Sequence, residues 1–453
     1  MNEIKLGDLF ELHIEDMGHT GTGIGKIDGF TVFVENAVVG DTIKIKIVEL
    51  KKNYGFGEIV EFLEYSPHRI QSECPVSDTC GGCQLQNVKY EEQLKIKKKM
   101  VVDNLERIGG ISSISVNDVI GMETPYRYRN KAQFPVGQKN GKAIIGFFQK
   151  KSHEIVECES CILQHDINDK IVSKMKEIID EFGMTVYDEK TGKGLLRHIV
   201  TKVGWHTHEI MLILVTNKKA FPDKETIIQA IIEKMPEVTT IIQNVNTGRN
   251  PSVLGDKSIT LYGKGYIMDS LKGIKFYISP LSFYQVNPIQ MEKLYSKALE
   301  YADLKGTETV FDLYSGIGTI SLFLAKQSKK VIGVEMAASA IKDAAKNAEL
   351  NQITNTEFYH GKAEEVVPQL YKQGYKADVV VVDPPRKGCD ERLLKTMIEM
   401  KPERIVYISC NPSTLARDLK FLEGNGYETK EVQPVDMFGG TMHVETVCLL
   451  IRK

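Results

Sequence analysis

The stretch ETVFDLYSGIGT, Glu308–Thr319, decides how the rest of the chain is read. A short apolar run ends in a glycine turn, and the helical pattern GTISLFLAKQ (318–327) begins inside that turn. Three more apolar runs follow: KKVIGVE (329–335), KADVVVVD (376–383) and RIVYISC (404–410). Helical stretches separate or follow them, AASAIKDAAKNAEL (337–350), DERLLKTMIEM (390–400) and PSTLARDLKFLEG (412–424). Strands that are apolar throughout and alternate with helices predict an α/β fold with a parallel, doubly wound sheet covered on both faces. Ligands of such a sheet sit beyond the carboxyl ends of its strands. The residues that close each run are therefore the candidates for chemistry.

The first run closes on Tyr314 and the Gly316/Gly318 turn, where the missing Cβ atoms let a ligand approach the backbone. The second closes on Glu335, about 20 residues further on, placed to accept hydrogen bonds from ribose hydroxyls. Gly318 is followed by Thr319, Ile320 and Ser321, so the third glycine of the dinucleotide fingerprint is absent. That points to a cofactor without a pyrophosphate. The third run closes on Asp383-Pro384-Pro385-Arg386, a carboxylate on a loop stiffened by two prolines. Arg386 stands where many amino-group methyltransferases carry an aromatic residue, which disfavours an exocyclic amine as the target. The fourth closes on Cys410-Asn411-Pro412 just before a helix, whose N-terminus is expected to lower the thiol pKa. Near the C-terminus TMHVET (441–446) leads into VCLLI, and strand alternation puts His443 and Glu445 on one face. Glu445 is a candidate general base.

Working outward, residues 276–453 hold this pattern. Residues 63–275 mix strand-like runs, AIIGFF (143–148), HEIMLILVT (208–216) and TTIIQNVN (239–246), with a helical SKMKEIIDEFG (173–183), and predict an α+β domain. YEEQLKIKKKMVVDNLERIGG (90–110) reads as a helix stopped by Gly109-Gly110, and the 85–110 segment is a candidate to pack on the 276–453 domain. Residues 1–62 alternate apolar and polar positions between glycine turns, the pattern of a small OB-like β-barrel.

The 453 residues carry 58 Lys+Arg against 60 Asp+Glu, so the chain as a whole does not announce a nucleic-acid partner. Local clusters do better: Lys95, Lys97, Lys98 and Lys99, and the acid-free run from Tyr126 to Lys151 with its RYRNK core. The start MNEIKLGDLF is not a signal peptide and no run of about 18 apolar residues exists, so no membrane is expected and the cytoplasm is the expected compartment. Disulfides are then improbable for the eight cysteines. Cys74, Cys80 and Cys83 form C-x5-C-x2-C, and Cys158 or Cys161 supplies a fourth thiolate for zinc or an iron–sulfur cluster.

Taken together, FYQVN (283–287), DLYSGIGT, DPPRKG, SCNPSTLARDL and HVET make the chain resemble the RNA uracil-5-methyltransferases, and within them the 23S rRNA branch, over nearly its whole length. The resemblance implies a class I, Rossmann-like methyltransferase domain, a central domain and an N-terminal TRAM domain. It implies Cys410 as nucleophile and Glu445 as general base. It implies S-adenosylmethionine bound at Gln285, Tyr314, Glu335 and Asp383, with Asp383 also reaching the uracil. It further implies a [4Fe-4S] cluster, in preference to zinc, on Cys74, Cys80, Cys83 and Cys161. The implied partner is ribosomal RNA, because the transfer-RNA branch usually lacks both the barrel and the cysteine cluster. No obligate protein partner is inferred. On the barrel, Lys44, Lys46, Lys51, Lys52 and Tyr54 are the candidate RNA face.

Overall fold

The computed structural model describes residues 4–112, 114–249 and 252–453. The C-terminal sheet has seven strands in the order Thr356–His360, Lys330–Glu335, Thr309–Leu313, Val379–Val382, Arg404–Ser409, Glu445–Arg452, Tyr427–Val435. The first five are parallel, and Glu445–Arg452 runs antiparallel between Arg404–Ser409 and Tyr427–Val435. Alternation divides the strand residues between two buried layers. Val310 enters the core beneath helices Pro288–Ala302, Thr319–Ala325 and Ala338–Leu350, whereas Phe311 and Leu313 enter the core beneath Ala363–Lys372, Glu391–Met400 and Pro412–Glu423. Each fully buried aliphatic side chain contributes roughly 1.5–3 kcal/mol, so a one-residue slip of any central strand would be prohibitive. That pinning fixes the residues at the sheet edge.

The central domain is a second seven-stranded sheet, Lys257–Tyr262, Val238–Val245, Ile210–Thr216, Leu196–Val203, Lys131–Lys139, Lys142–Phe148, Ile155–Glu157, with helices Ile167–Glu181 and Lys224–Lys234. The strand at Lys131–Lys139 escapes a pattern reading because Pro135 and two lysines break its apolar alternation. The expected boundary near 275 falls inside a hairpin in which Ile267–Leu271 pairs with Ile274–Ile278. Ile267, Phe276 and Ile278 share one core with Val200 and Ile213 of the central sheet and Val310 of the C-terminal sheet, so one apolar core joins the two sheets.

The N-terminal region is a six-stranded, strongly curved sheet, ordered Leu9–His13, Thr42–Leu50, Tyr54–Glu64, Phe30–Val34, Gly23–Ile27, Asp16–Met17, closed around Leu12, Ile14, Val32, Val34, Ile43, Ile45 and Ile47. After it comes helix Tyr90–Asn104, which widens into a π turn at Leu105–Gly109 and ends on Gly110 in the left-handed region. This helix packs on the C-terminal domain. Lys97 Nζ donates to Asp436 Oδ1 at 2.6 Å with both side chains fully buried, and Ser413 donates to Asn104 Oδ1 at 2.7 Å. No helix among the described residues is long and apolar enough to cross a membrane.

Candidate active site

The strand order reverses between Thr309–Leu313 and Val379–Val382, the switch point where a doubly wound sheet opens a crevice. Leu313 pairs with both Val334 and Val382, and Val382 with Tyr407. Tyr314, Glu335, Asp383 and Cys410 therefore leave the sheet along one edge. The antiparallel strand begins there too: Ser409 lies opposite Thr446, which sets the start of that strand, Glu445, beside Cys410.

On one side of the crevice the turn after Leu313 is shaped to receive a ligand. Tyr314 has φ 67° and Gly318 φ 79°, and a Cβ placed on Gly316 would meet nothing within 4 Å. The Tyr314 and Ser315 amides both donate to Val334 O. Glu335 clamps the same loop: its carboxylate accepts from the Gly316 amide at 3.2 Å and the Ala337 amide at 2.8 Å. Asp312, fully buried, accepts from Ser321 Oγ through one oxygen and has no partner at Oδ1. Burial, with Asp383 and Glu335 nearby, pushes its pKa up to about 7. An orphaned buried carboxylate oxygen, a loop open above Gly316 and an acid at the second strand end suit a cationic, ribose-bearing cofactor in kind. Asp312 was in plain view in DLYSG but carries no spacing signal; only its missing partner marks it.

Gln285 is buried and held from the central domain. Asn130 Nδ2 donates to Gln285 O at 3.1 Å, and the Asn130 amide donates to Val286 O. Asn287 of the same motif is structural: it caps helix Pro288–Ala302 by accepting from the Gln290 amide and donates to Met437 O. The helix then crosses strands Val379–Val382, Arg404–Ser409 and Glu445–Arg452.

The other side of the crevice holds three acids in electrostatic contact. Burial pushes Glu445 up to about 8, with Asp383 raising it further and Arg386 opposing; Asp383 is pushed up to about 6 by loss of water. Cys410 is pushed up to about 11 by burial, Glu445 and Asp383, against Arg386. The expected lowering by the helix N-terminus is thus overturned: burial and two facing carboxylates outweigh the dipole and the one guanidinium. Arg386 is held there by its carbonyl, which accepts from Asn411 Nδ2 at 3.0 Å and Thr414 Oγ1 at 3.2 Å, and it donates to His443 Nε2. The last strand starts only at Glu445, so His443 does not share the Glu445 face; it lies outside the strand, exposed, whereas Glu445 is 4 % exposed.

The loop before that strand, 436–442, is gripped from several sides. Tyr90 and Lys97 donate to the Asp436 carboxylate, Tyr128 donates to Gly439 O, Gln290 to Asp436 O, and the Gly440 amide donates to Gln93 Oε1. Tyr128 is therefore a buried strut rather than an RNA-stacking ring. Its neighbour Arg127 is paired to Asp166 and Asp169, and Lys95, Lys98 and Lys99 each face an acid. The lysine cluster 95–99 and Arg127 are thus neutralised in the fold.

The cysteines of the N-terminal half are free thiols on loops. Cys74, Cys80 and Cys161 each raise the pKa of at least one other member of the set, and Cys83 and Cys158 are among those raised, so the five lie in one region. The Gly82 amide donates to Cys80 Sγ and Gln86 Nε2 to Cys83 Sγ, both at 3.4 Å, while Cys158 donates its own thiol to Ser160 O at 3.1 Å. Among the described residues, no three His, Cys, Asp or Glu side chains stand in a ready metal-holding arrangement. N–H donors thus reach two of the sulfurs. Cys158, spent on its own loop, is the odd member.

Comparison with known proteins gives a consistent result. A model of the tRNA (uracil-5-)-methyltransferase family matches residues 89–453, and a TRAM domain model matches residues 4–60. An uncharacterized RNA methyltransferase of Halalkalibacterium halodurans is 52% identical over 450 residues, 99% of this chain and 98% of its own. One from Caldanaerobacter subterraneus subsp. tengcongensis is 51% identical over 452 residues and all of both chains. Among solved structures, the tRNA (uracil-54, C5)-methyltransferase of Pyrococcus abyssi with S-adenosyl-L-homocysteine is 29% identical with TM-score 0.78, covering 98% of this chain and 100% of that one. Coverage that wide includes the barrel, so a barrel does not by itself separate ribosomal from transfer-RNA targets.

Proposed function

The chain belongs to the tRNA (uracil-5-)-methyltransferase family of S-adenosylmethionine-dependent RNA methyltransferases, and from that premise we propose that it methylates carbon 5 of a uridine in 23S rRNA through a covalent adduct on Cys410. The observation that carries the reading is the convergence of Cys410, Asp383, Glu445 and Arg386 at one edge of the sheet, beside its switch point.

Uracil carbon 5 is a poor nucleophile. Addition of Cys410 Sγ to carbon 6 places an electron pair on carbon 5 and splits one hard step into easier ones. Bound S-adenosylmethionine supplies the electrophilic methyl group. Gln285, Tyr314, Glu335 and Asp383 are the residues proposed to hold it, Asp383 lying between cofactor and base. Once carbon 5 carries both methyl and hydrogen, Glu445 takes the proton, the C5–C6 double bond re-forms and Sγ leaves carbon 6. Burial and Asp383 push Glu445 up to about 8, so its carboxylate form is a stronger base than an ordinary glutamate. Arg386 opposes the acids at Cys410 and favours thiolate and enolate. A stacked base cannot reach a half-buried thiol at the sheet edge, so the uridine must be unpaired or turned out of its helix.

Cys74, Cys80, Cys83 and Cys161 would hold a [4Fe-4S] cluster. The methyl transfer moves no electrons, so the cluster's role is to order the loops around it. The cysteine spacing supports the ribosomal target; transfer RNA is the second reading, favoured by the whole-chain likeness to the Pyrococcus abyssi enzyme. Incubation with labelled S-adenosylmethionine and unmodified 23S rRNA or tRNA, followed by mapping of the modified base, decides. Label at carbon 5 of a 23S uridine is the expected result; label in tRNA alone would replace the ribosomal reading.

A further inference from the structure

Three aromatic side chains of the barrel do not belong to its core. Phe33 stands opposite Phe56 in the parallel pair of strands Phe30–Val34 and Tyr54–Glu64, while Val32 and Val34 point inward. Phe33, Tyr54 and Phe56 form a ring cluster on the outer face, with centroids 5.6 to 5.7 Å apart, and Tyr54 is 38% exposed. They face a groove of about 580 Å³ whose opposite wall is the cysteine loop and the turn after Phe148, through Gly81, Gln84, Lys150 and Lys151.

That wall is tied in place. Gly81 donates to Phe148 O, Lys150 to Thr79 O, and Cys80 makes a β-bridge with Gln149. The barrel touches the wall through Gly21, where an added Cβ would stand 2.5 Å from Gln84 Cβ. Across the mouth Lys151 pairs with Glu35 at 2.9 Å and Lys150 donates to Asn36 Oδ1 at 3.4 Å. Both partners are exposed, so these links hold lightly and a phosphate oxygen is a competing acceptor.

Rings without a core role, two cations at the rim, and amide and hydroxyl side chains between them match unpaired nucleotides: bases stack on aromatic faces and phosphates meet lysines. We propose that this groove binds one or two single-stranded nucleotides of the substrate RNA at a distance from the target uridine, with bases on the Phe33/Tyr54/Phe56 cluster and phosphates on Lys150 and Lys151. The proposal rests on the RNA-methyltransferase reading above. It also narrows the candidate barrel face: Lys44 and Lys46 lie opposite Glu61 and Glu58 and Lys51 is paired with Glu49, whereas Tyr54 lines the groove.

The test uses the full-length protein and fluorescent 23S rRNA fragments and oligouridylate, with anisotropy for affinity and 4-thiouridine photocrosslinking for position. Phe33→Ala with Tyr54→Ala is expected to weaken RNA binding about tenfold per lost stacking partner. Lys150→Glu with Lys151→Glu is expected to weaken it and to flatten its salt dependence by about one unit of slope per lysine. Both variants should keep wild-type affinity for S-adenosylhomocysteine, and crosslinked peptides should include 31–34 or 54–57. If the aromatic variant fails to fold, the lysine pair decides. Wild-type RNA affinity in the lysine variant, or crosslinks confined to the 276–453 domain, would overturn the groove and leave the methyl transfer standing. Competition by polyglutamate as strong as by RNA would assign the groove to an acidic protein segment and overturn the proposal. A wild-type enzyme that neither binds nor methylates RNA would sink the functional reading itself.

Discussion

Cys410 and the cysteines of the N-terminal half are the same side chain in opposite settings. Cys410 closes a strand whose register is fixed on both sides, so its neighbours Asp383 and Glu445 are placed by backbone pairing and buried side chains. Cys74, Cys80, Cys83 and Cys161 ride on loops, and their sulfurs are gathered but not arranged. A sheet edge can hold unlike acids together against their mutual repulsion, because displacing them would shift a buried strand. Loops cannot, and a thiolate set on loops needs a bound group to organise it. Backbone pairing arranges the first set; nothing comparable arranges the second.

The sharpest way to break that contrast is to remove each cysteine in turn. Cys410→Ala should lower methyl transfer by more than about 10³-fold while RNA binding stays within a few-fold of wild type, measured by filter binding and methyl incorporation. Cys83→Ser or Cys161→Ser should instead lower iron content and thermal stability, and Cys158→Ser should leave iron content unchanged. Stoichiometric zinc without iron in the wild-type protein would overturn the cluster assignment.

Next in size is the strut behind Glu445. Lys97→Ala leaves Asp436 buried without its cation and should destabilise the fold by about 3–5 kcal/mol in denaturant titrations. A loss near zero would mean that the 436–442 loop does not depend on this pair.

Electrostatics give the finer tests. Glu445 and Asp383 both raise the Cys410 pKa and Arg386 lowers it. Glu445→Gln should therefore move the pH dependence of Cys410 alkylation down, and Arg386→Ala should move it up, each read from iodoacetamide rates. The same carboxyl links pH to stability. Its ordinary value is 4.5 and the fold pushes it to about 8, so folding disfavours its charged form. The stability it permits is complete below the ordinary value and is lost as pH rises toward the folded one. Glu445→Gln should accordingly raise Tm more near about pH 9 than near about pH 5. An equal gain at both would mean that Glu445 titrates normally.

The contrast also explains what was legible in the sequence. The four apolar runs announced the parallel sheet, and their last residues named Tyr314, Glu335, Asp383 and Cys410 as edge residues, because strand ends are a one-dimensional signal. Glu445 was harder: it lies at the start of an antiparallel strand, and only pairing with Arg404–Ser409 shows which residue it faces. The direction of the Cys410 shift was misread because a helix N-terminus is visible in sequence, whereas facing carboxylates from other strands are not. Arg127, Tyr128 and Lys97 looked like a nucleic-acid surface, but their partners Asp169, Gly439 and Asp436 lie far along the chain. The aromatic groove was hidden for the same reason, since Phe33, Tyr54 and Lys150 come from three separated segments.

The central claim is a bond between Cys410 Sγ and uracil carbon 6. RNA carrying 5-fluorouridine tests it most directly, because fluorine at carbon 5 leaves Glu445 no proton to remove and the adduct cannot resolve. With S-adenosylmethionine present, the wild-type enzyme should form a denaturation-resistant protein–RNA complex that mass spectrometry maps to Cys410, and Cys410→Ala should form none. Methyl transfer to normal uridine with no such complex, or a complex mapped to another residue, would contradict the account.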